Sequence, residues 1–427
     1  MLDLNRKVLF DQSLERLKAQ LYELAEFNET PEHGITRIVY TNRDLAAKHY
    51  VKEYMKEIGL EVSEDVMGNI FGKLPGSNSD LPPVWSGSHL DAPLNSGMFD
   101  GIVGVLGAIE ALRLIKESGL KHERDLVAVI FVSEEPTRFG MGCLGSRAMT
   151  NQLSSEDLVK LKDKDGISLY EAMKRANYRP DKLEQVRIKQ GEIGMFVELH
   201  IEQGPVLETN QKEIGIVNVI AAPTEVKLTI KGEQRHAGST PMNLRKDPMP
   251  AAAEILLTLE TWAKDSTKAH TVFTVGDLKV FPGASNVIPN EVVMTIDSRD
   301  ADGENKEKFM ALLNEVIQAV CAKRGVSYEL EVKTHDQPAQ ADSLITNTIK
   351  KVCEELKMDH QVLASGAYHD SMIMSKIVPF GMIFIPSRDG ISHDAREWTE
   401  FKQVASGVQV LTNTLYQLAN EGVGSNE

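Results

Sequence analysis

Cysteine and positive charge are scarce in this chain of 427 residues, and each shortage excludes a class of protein. The three cysteines, Cys143, Cys321 and Cys353, lie far apart without a C-x-x-C pair, so we expect reduced, packed thiols and no thiolate metal site. Lysine and arginine total 47 against 62 acidic residues, a formal net charge of −15. So acidic a chain disfavours nucleic acid and anionic membranes as partners.

Long apolar runs and repeats are also missing. The longest apolar stretches, LVAVIFV and IVGVLGAI, are far too short to cross a bilayer. The N-terminal stretch MLDLNRKVLFDQSLERL is charged from its third residue and lacks the apolar core of a signal peptide. No low-complexity tract or solenoid period is visible. We therefore expect a cytoplasmic protein without a membrane partner.

What is present indicates two folded bodies, because the chain exceeds the usual size of one hydrophobic core. Helical spacing of apolar residues predicts helices over 13–26 and 43–59, the second capped by Thr41. Short runs rich in Val and Ile predict central strands of a helix-covered sheet, at Val84–Ser86, Leu126–Val132, Met195–Leu199 and Gly381–Ile385.

The middle of the chain has a different pattern. TEVKLTIKGEQ (224–234) and NEVVMTIDSRD (290–300) alternate apolar and polar residues, as strands with one wet face do. With the helical periodicity around them, they predict an inserted α+β domain over 215–332, an antiparallel sheet plus two helices. Residues 1–214 and 333–427 then form an α/β main domain with a mixed, helix-covered central sheet. We interpret strand 224–231 as an edge that pairs with a second copy, giving a homodimer through the inserted domain.

Acids and histidines follow the apolar strands of the main domain. Taken singly, each has an ordinary structural explanation, but four strands repeat the pattern, and an unpaired buried charge is costly. Because ligands gather beyond the carboxyl ends of strands in open α/β sheets, we expect these side chains on one rim. They are His89 and Asp91, Glu134 and Glu135, His200, and His393.

Imidazole and carboxylate without a nearby thiolate suit Zn²⁺ or Mn²⁺ in a hydrolytic site. A carboxylate shared by two ions would make a two-metal centre, and Asp100 is the candidate because it stands where the predicted helix 101–117 begins. The alternative is that Asp100 is a simple N-cap. Within the adjacent pair, Glu134 and Glu135 point differently, so one binds metal while the other takes a proton from water.

Six ordered motifs make the chain resemble a known family over nearly its whole length. They are GSHLDAPLNSGMFDG, SEEPTRFG, ELHIEQGPVLE, RHAGSTPM, GASNVIPNEV and SGAYHDS…DGISH. Together they resemble the dinuclear-metal amidohydrolases of the aminoacylase and carboxypeptidase superfamily. The narrower likeness is to the branch with N-carbamoyl-L-amino acid hydrolases, β-ureidopropionases and allantoate amidohydrolases.

The resemblance implies a role for each matching residue. It makes Glu134 the general base and Asp91 the partner that orients the His89 ring. The implied ligands of two divalent ions (Zn²⁺ or Mn²⁺, with Co²⁺ as a further option) are His89, Glu135, His200, His393 and the bridging Asp100. The implied substrate-contacting residues are Gln203 and, in the inserted domain, which would close as a lid, His236, Asn286 and Arg299.

The residues leave some alternatives open. RHAGSTPM around His236 has the alternative of a plain loop, and Arg299 has the alternative of an ion pair with Asp297 or Asp300. Two positions depart from the family pattern. Ser96 stands where a second Gly is usual, and Tyr368 stands where Gly is frequent, which bears on substrate choice.

The expected activity is metal-dependent hydrolysis of N-carbamoyl-L-amino acids to amino acid, CO₂ and ammonia. Allantoate, with a carboxylate flanked by two ureido groups, is the alternative substrate. An N-acyl amino acid hydrolase or dipeptidase is a third possibility. A scaffold that has lost catalysis is opposed by the presence of every implied ligand and of the base.

Overall fold

The computed structural model describes residues 6–266 and 271–422, with side chains from residue 10 onward. The α-helices are α1 Arg6–Ala25, α2 Asn42–Glu57, α3 Ile102–Ser118, α4 Leu144–Met149, α5 Ser155–Lys160, α6 Leu169–Arg175, α7 Val206–Thr209, α8 Pro248–Asp265, α9 Gly303–Arg324, α10 Ser343–Leu356, α11 Asp370–Met374 and α12 Phe401–Ala419. The strands are β1 Ile35–Arg37, β2 Glu61–Glu64, β3 Ile70–Leu74, β4 Val84–His89, β5 Ala92–Ser96, β6 Leu126–Phe131, β7 Met195–Ile201, β8 Ile214–Ile220, β9 Ala222–Lys231, β10 Arg235–His236, β11 Val272–Phe281, β12 Val287–Ile288, β13 Glu291–Asp300, β14 Ser327–His335, β15 Ala339–Gln340, β16 His360–Ser365 and β17 Phe380–Ile385.

The chain divides into two compact units. The first contains Met1–Asn218, Ala341–Leu363 and His369–Glu427, and the second contains Val219–Gln340 with Ala364–Tyr368. The expected insertion, 215–332, differs at both ends. Its first residues belong to β8, which pairs with β17 in the sheet of the first unit, and its limit at 332 falls inside β14.

The sheet of the first unit is mixed and carries its parallel strands in the centre. Its order is β8-β17-β7-β4-β6-β3-β2, and β15 and β16 also pair with β8. The neighbours β17 and β7, β7 and β4, and β4 and β6 are parallel, while β8, β3 and β2 are antiparallel to their neighbours. Helices α1, α3, α10 and α12 bury apolar residues in one core with these strands. The four parallel strands thus end on the same edge.

The helix predictions near the N-terminus differ from the structure mainly at the boundaries. Helix α1 begins earlier than expected, and α2 is capped at Thr41, whose side chain accepts a hydrogen bond from the backbone N–H of Asp44. A capping side chain of this kind satisfies one of the free N–H groups of the first turn. No helix among the described residues is both long and apolar enough to span a membrane.

The second unit has an antiparallel sheet in the order β11-β13-β9-β14. Helices α8 and α9 bury apolar residues against it in a separate core. The prediction that strand 224–231 is an edge is wrong. It lies within β9, which pairs with β13 on one side and β14 on the other, so the edges are β11 and β14. Alternation in the sequence indicates a half-buried strand but carries no information on its neighbours.

Candidate metal centre

The parallel register brings the four strand ends together. His89 ends β4, and Glu134 and Glu135 lie just beyond β6, the parallel neighbour of β4. His200 lies near the end of β7. His393 follows β17 in the loop that leads to α12. Because all four strands run in the same direction, the residues at their carboxyl ends lie along the same edge of the sheet.

Asp100 links two groups of potential ligands. In the first, ligand atoms of His89, Asp100 and His200 lie within 4.8 Å of one another. In the second, those of Asp100, Glu135 and His393 do so. Oδ1 of Asp100 is 3.2 Å from Nε2 of His200, and Oδ2 is 3.0 Å from Nε2 of His393. The carboxylate therefore presents one oxygen to each group, as a bridging ligand does.

The alternative that Asp100 is an N-cap is not what the structure shows. The N-cap of α3 is Gly101, with φ of 68°, and no side chain caps this helix. Gly101 is required here, because a Cβ on this residue would lie 2.4 Å from the ring of His89. The backbone therefore passes directly over the site before the helix begins.

The histidines and Asp100 favour one another's charged forms. Hydrogen bonds with Asp100 and Glu135 raise the pKa of His393 to about 11. Burial alone would lower the pKa of His200, but the neighbouring Asp100 raises it to about 9. Burial opposes ionisation of Asp100, yet the hydrogen bonds from His200 and His393 hold its pKa well below the usual range.

The adjacent acids have different surroundings. Oε1 of Glu135 lies 3.0 Å from Nε2 of His393, within the second group. Within the part of the chain that the structure describes, the Glu134 carboxylate lies 3.7 Å from His89 and accepts a long hydrogen bond of 3.9 Å from the Cys143 thiol, and it has no closer hydrogen bond. Burial, with repulsion from Glu135, raises the pKa of Glu134 well above the usual value. Glu134 thus has longer polar contacts than Glu135.

Asp91 holds the backbone of this acidic pair. Its two carboxylate oxygens accept hydrogen bonds from the N–H groups of Glu134 (3.2 Å) and Glu135 (3.0 Å). The His89 ring, by contrast, contacts the backbone carbonyl of Asp91 through Nδ1 at 3.0 Å, while the carboxylate stays 3.7 Å away. Asp91 thus contacts the His89 ring as expected of a residue that orients it, through its carbonyl and not through its carboxylate.

Gln203 lies beside the carboxylate of Asp100. Its Nε2 donates to Oδ2 of Asp100 at 2.8 Å and approaches the Ser392 hydroxyl at 3.4 Å. Its Oε1 is buried and has no hydrogen-bond partner among the described residues. A buried acceptor without a donor is unusual, and it suits an N–H group of a ligand.

The sequence reasoning missed several buried polar residues that surround the site. Glu198 shares a face of β7 with His200 two residues later, and this period of two was a usable signal. Its carboxylate accepts hydrogen bonds from the hydroxyls of Ser88 (2.7 Å) and Ser371 (2.6 Å). Glu397 accepts from the backbone N–H of Asp100, a contact that spacing along the chain does not reveal.

The residues present fit divalent cations. Seven carboxylates are buried at or around the site: Asp91, Asp100, Glu134, Glu135, Glu198, Asp370 and Glu397. Among the described residues, the first four pair only with the histidines of the site, and the other three have no ion pair. Concentrated buried negative charge without a strong cation is unfavourable. Two divalent ions would neutralise it, and the imidazole and carboxylate donors are those that Zn²⁺ and Mn²⁺ accept.

In the second unit, His236 and Asn286 belong to paired segments. Strand β10 pairs with β12, and the N–H of Ala237 donates to the Asn286 carbonyl at 2.9 Å. The exposed His236 ring accepts hydrogen bonds at Nδ1 from the N–H groups of Gly238 (3.1 Å) and Ser239 (3.2 Å). An Nδ1 that accepts leaves the ring proton on Nε2, so His236 is prepared to donate from Nε2.

Arg299 forms an ion pair with Asp297, the alternative to substrate binding that the sequence left open. Its guanidinium lies 3.3 and 3.0 Å from the two oxygens of Asp297, and Nη1 donates to the Gly366 carbonyl at 3.2 Å. Asp300 instead accepts from Thr271. The Tyr368 hydroxyl donates to Asp336 at 3.1 Å.

Comparisons with known proteins give close relatives along the whole chain. A ureidoglycolate hydrolase of Arabidopsis thaliana is 42% identical over 409 residues, 94% of this chain and 86% of the relative. An N-carbamoyl-L-amino-acid amidohydrolase of Pseudomonas sp. (strain NS671) is 39% identical over 94% of this chain and 98% of the relative. An allantoate amidohydrolase of Bacillus subtilis is 34% identical over 93% and 95%.

Solved structures with the same fold have related names. The crystal structure of AtUAH in complex with (S)-hydroxyglycine matches with a TM-score of 0.84 at 42% identity, covering 95% of this chain and 97% of that one. An amidase of the hydantoinase/carbamoylase family from Burkholderia multivorans matches with a TM-score of 0.86 at 31% identity, covering 96% and 98%.

These findings confirm the resemblance stated from the motifs. The family model described as peptidase family M20/M25/M40 matches residues 91–417, which include Asp100, Glu134, Glu135, His200 and His393 but begin just after His89. Since the match extends over most of the sequence and the relatives cover nearly all of it, the chain belongs to the peptidase family M20/M25/M40.

Proposed function

We propose that the protein hydrolyses the ureido C–N bond of small acids in which the ureido nitrogen and a carboxylate share one carbon. N-carbamoyl-L-amino acids are the first candidates, and the products are the amino acid, CO₂ and ammonia. The observation that carries the proposal is the pair of ligand groups joined by Asp100, next to a carboxyl group, Glu134, without a close hydrogen bond. The names of the relatives support the ureido class.

Two divalent ions held by His89, Asp100, Glu135, His200 and His393 would supply Lewis acidity, which polarises a carbonyl and acidifies water. This help is needed because both nitrogens of a ureido group donate into the carbonyl and make it a poor electrophile. Zn²⁺ and Mn²⁺ are the proposed ions.

Glu134 is the proposed general base. It accepts a proton from the attacking water and returns that proton to the departing nitrogen, so that one carboxyl group serves both steps. Its freedom from close hydrogen bonds supports this role, since a base must exchange its proton without breaking another contact. Asp91 positions it through the backbone N–H of Glu134.

We also propose substrate-contacting roles for Gln203, His236, Asn286 and Arg299. The unsatisfied Oε1 of Gln203 suits a ureido N–H. His236, with its proton on Nε2, donates to the oxygen that gains charge, a contact typically worth about 3 kcal/mol in the transition state. Arg299 binds the carboxylate through its planar fork, and Asn286 lies in the segment paired with that of His236.

Ureidoglycolate is the second candidate substrate, favoured by the 42% identity to the Arabidopsis enzyme. Allantoate is the third, at 34% identity to its bacterial amidohydrolase. All three substrates share the carbon that bears both a ureido nitrogen and a carboxylate. The proposal therefore defines a class of substrate in which the remaining substituent decides the preference.

The test is ammonia release by chelator-stripped protein to which Mn²⁺ or Zn²⁺ is returned. The panel contains several N-carbamoyl-L-amino acids, ureidoglycolate and allantoate, with N-acetyl amino acids and dipeptides followed by release of free amine. We expect turnover of ureido acids only, and their kcat/KM values rank the candidates. Turnover confined to acetylated or peptide substrates would replace the proposal, and no turnover on the whole panel would favour a scaffold without catalysis.

A further inference from the structure

The two ligand groups are built on unequal supports. In the first group all three side chains are buried and the two histidines stand on strands. The second group depends on His393, whose side chain is 49% exposed and whose backbone has φ of 56° in the loop after β17. A left-handed conformation is unfavourable for a residue other than glycine unless its surroundings fix it. Contacts that fix this loop therefore decide whether the second group forms.

Glu397, four residues after His393, provides one such contact. It is only 3% exposed, and its Oε1 accepts hydrogen bonds from the backbone N–H groups of Phe99 (3.0 Å) and Asp100 (3.1 Å). Glycine at position 97 makes room for it, because a Cβ there would lie 2.4 Å from the Cβ of Glu397. The loop of His393 is thus attached to the backbone that carries the bridging carboxylate.

Ser392 provides the second contact. Its hydroxyl lies 2.9 Å from Oε2 of Glu397 and 2.9 Å from Oδ2 of Asp100. A hydrogen-bonded chain thus links Glu397 through Ser392 to Asp100, and glutamine at position 397 would preserve it through its amide N–H.

We propose that Glu397 and Ser392 are positioning residues. They hold the side chains of His393 and Asp100 in the relative positions that complete the second metal position. They are not ligands themselves. The inference concerns binding of the ions alone, so its test does not depend on which substrate the protein hydrolyses.

The test is titration of chelator-stripped protein with Mn²⁺ alone, followed by calorimetry for affinities and by electron paramagnetic resonance to separate paired from isolated ions. We expect Ser392→Ala and Glu397→Ala to bind the first ion as the wild type does and the second at least about tenfold more weakly, a typical effect of losing a group behind a ligand. Glu397→Gln should bind both ions normally, because it keeps both hydrogen-bonding contacts.

A second perturbation approaches Glu397 from the opposite side. Gly97→Ala inserts the Cβ that the structure does not accommodate, and it should weaken the same ion while Glu397 remains in place. Arg396→Ala is the matched control, since this exposed arginine of the same loop pairs with Asp394, and it should bind both ions normally.

Three outcomes would overturn the proposal. Wild-type affinity for both ions in Ser392→Ala and Glu397→Ala would show that the contacts do not matter. Equal weakening of both ions, with a fall in the thermal midpoint of the metal-free protein, would indicate a general structural role. Loss of the second ion in Glu397→Gln to the same extent as in Glu397→Ala would contradict the hydrogen-bonded chain.

Discussion

The division of roles between Glu134 and Glu135 can be tested by replacing each with glutamine. Glutamine keeps the shape of the side chain and removes its charge. In Glu134→Gln no close hydrogen bond is lost, because among the described residues the polar contacts of this carboxylate are 3.7 Å to His89 and 3.9 Å to Cys143. In Glu135→Gln the contact of 3.0 Å with His393 is altered, within the second ligand group.

The magnitudes follow from these contacts. Loss of a general base typically costs 10² to 10⁴ in rate, about 3 to 5 kcal/mol of transition-state stabilisation. Glu134→Gln should therefore lower kcat by at least about 100-fold while binding two ions. Glu135→Gln replaces an anionic ligand with a neutral one, so it should bind the second ion at least about tenfold more weakly and regain part of its activity at high metal concentration.

The assay combines metal analysis after desalting with kcat and KM on the best ureido substrate, across a series of metal concentrations. Asp91→Asn serves as a comparison, because it disturbs the backbone of both acids without removing either side chain. If Glu134→Gln lost an ion while Glu135→Gln kept both and lost turnover, the assignment would be reversed. Substantial turnover in Glu134→Gln at full metal occupancy would remove Glu134 from the proton transfer.

Two shorter predictions concern the second unit. We expect a homodimer, now with an edge strand, β11 or β14, as the surface available for pairing, and a monomer in sedimentation at micromolar concentration would contradict this. Burial lowers the pKa of Lys306 from 10.5 to about 8, so the unfolded chain keeps this proton at pH values where the folded protein has lost it. The stability of the wild type relative to Lys306→Met should therefore rise from pH 8 to 10.5, measured by urea unfolding, and a constant difference would refute the buried charge.

The sequence was sufficient for the parts of the fold that depend on local patterns. Short apolar runs followed by His89, Glu135 or His200 indicated central strands that end on a common edge, because burial of such strands leaves their ends as the place for polar groups. Strand order in the second unit was not accessible, since β9 and an edge strand can show the same alternation. Which neighbours a strand has depends on contacts far apart in the chain.

The site was predictable where spacing carries the information and not where it depends on packing. Asp100 at the start of a helix was compatible with a cap or a ligand, and only the backbone of Gly101 above the His89 ring separates the two. Glu397 lies nearly 300 residues from the N–H groups that it binds. Its role depends on the room left by Gly97, a feature of the folded backbone that no local pattern encodes.

The ion pair of Arg299 with Asp297 does not exclude a role in substrate binding, and it leads to a further test. The side chains of Arg299 and Asp297 are 35% and 40% exposed. Exposed ion pairs typically contribute only about 0 to 1 kcal/mol to the free energy of unfolding. A substrate carboxylate can therefore replace Asp297 at small cost. If it does, Asp297→Asn removes a competitor and should lower KM for ureido acids, whereas Arg299→Ala should cost on the order of 2 to 4 kcal/mol in kcat/KM. Both effects should vanish on the corresponding amides, because they lack the charge that the guanidinium binds. An equal loss on acid and amide in Arg299→Ala, or an unchanged KM in Asp297→Asn, would leave Arg299 with its structural ion pair alone.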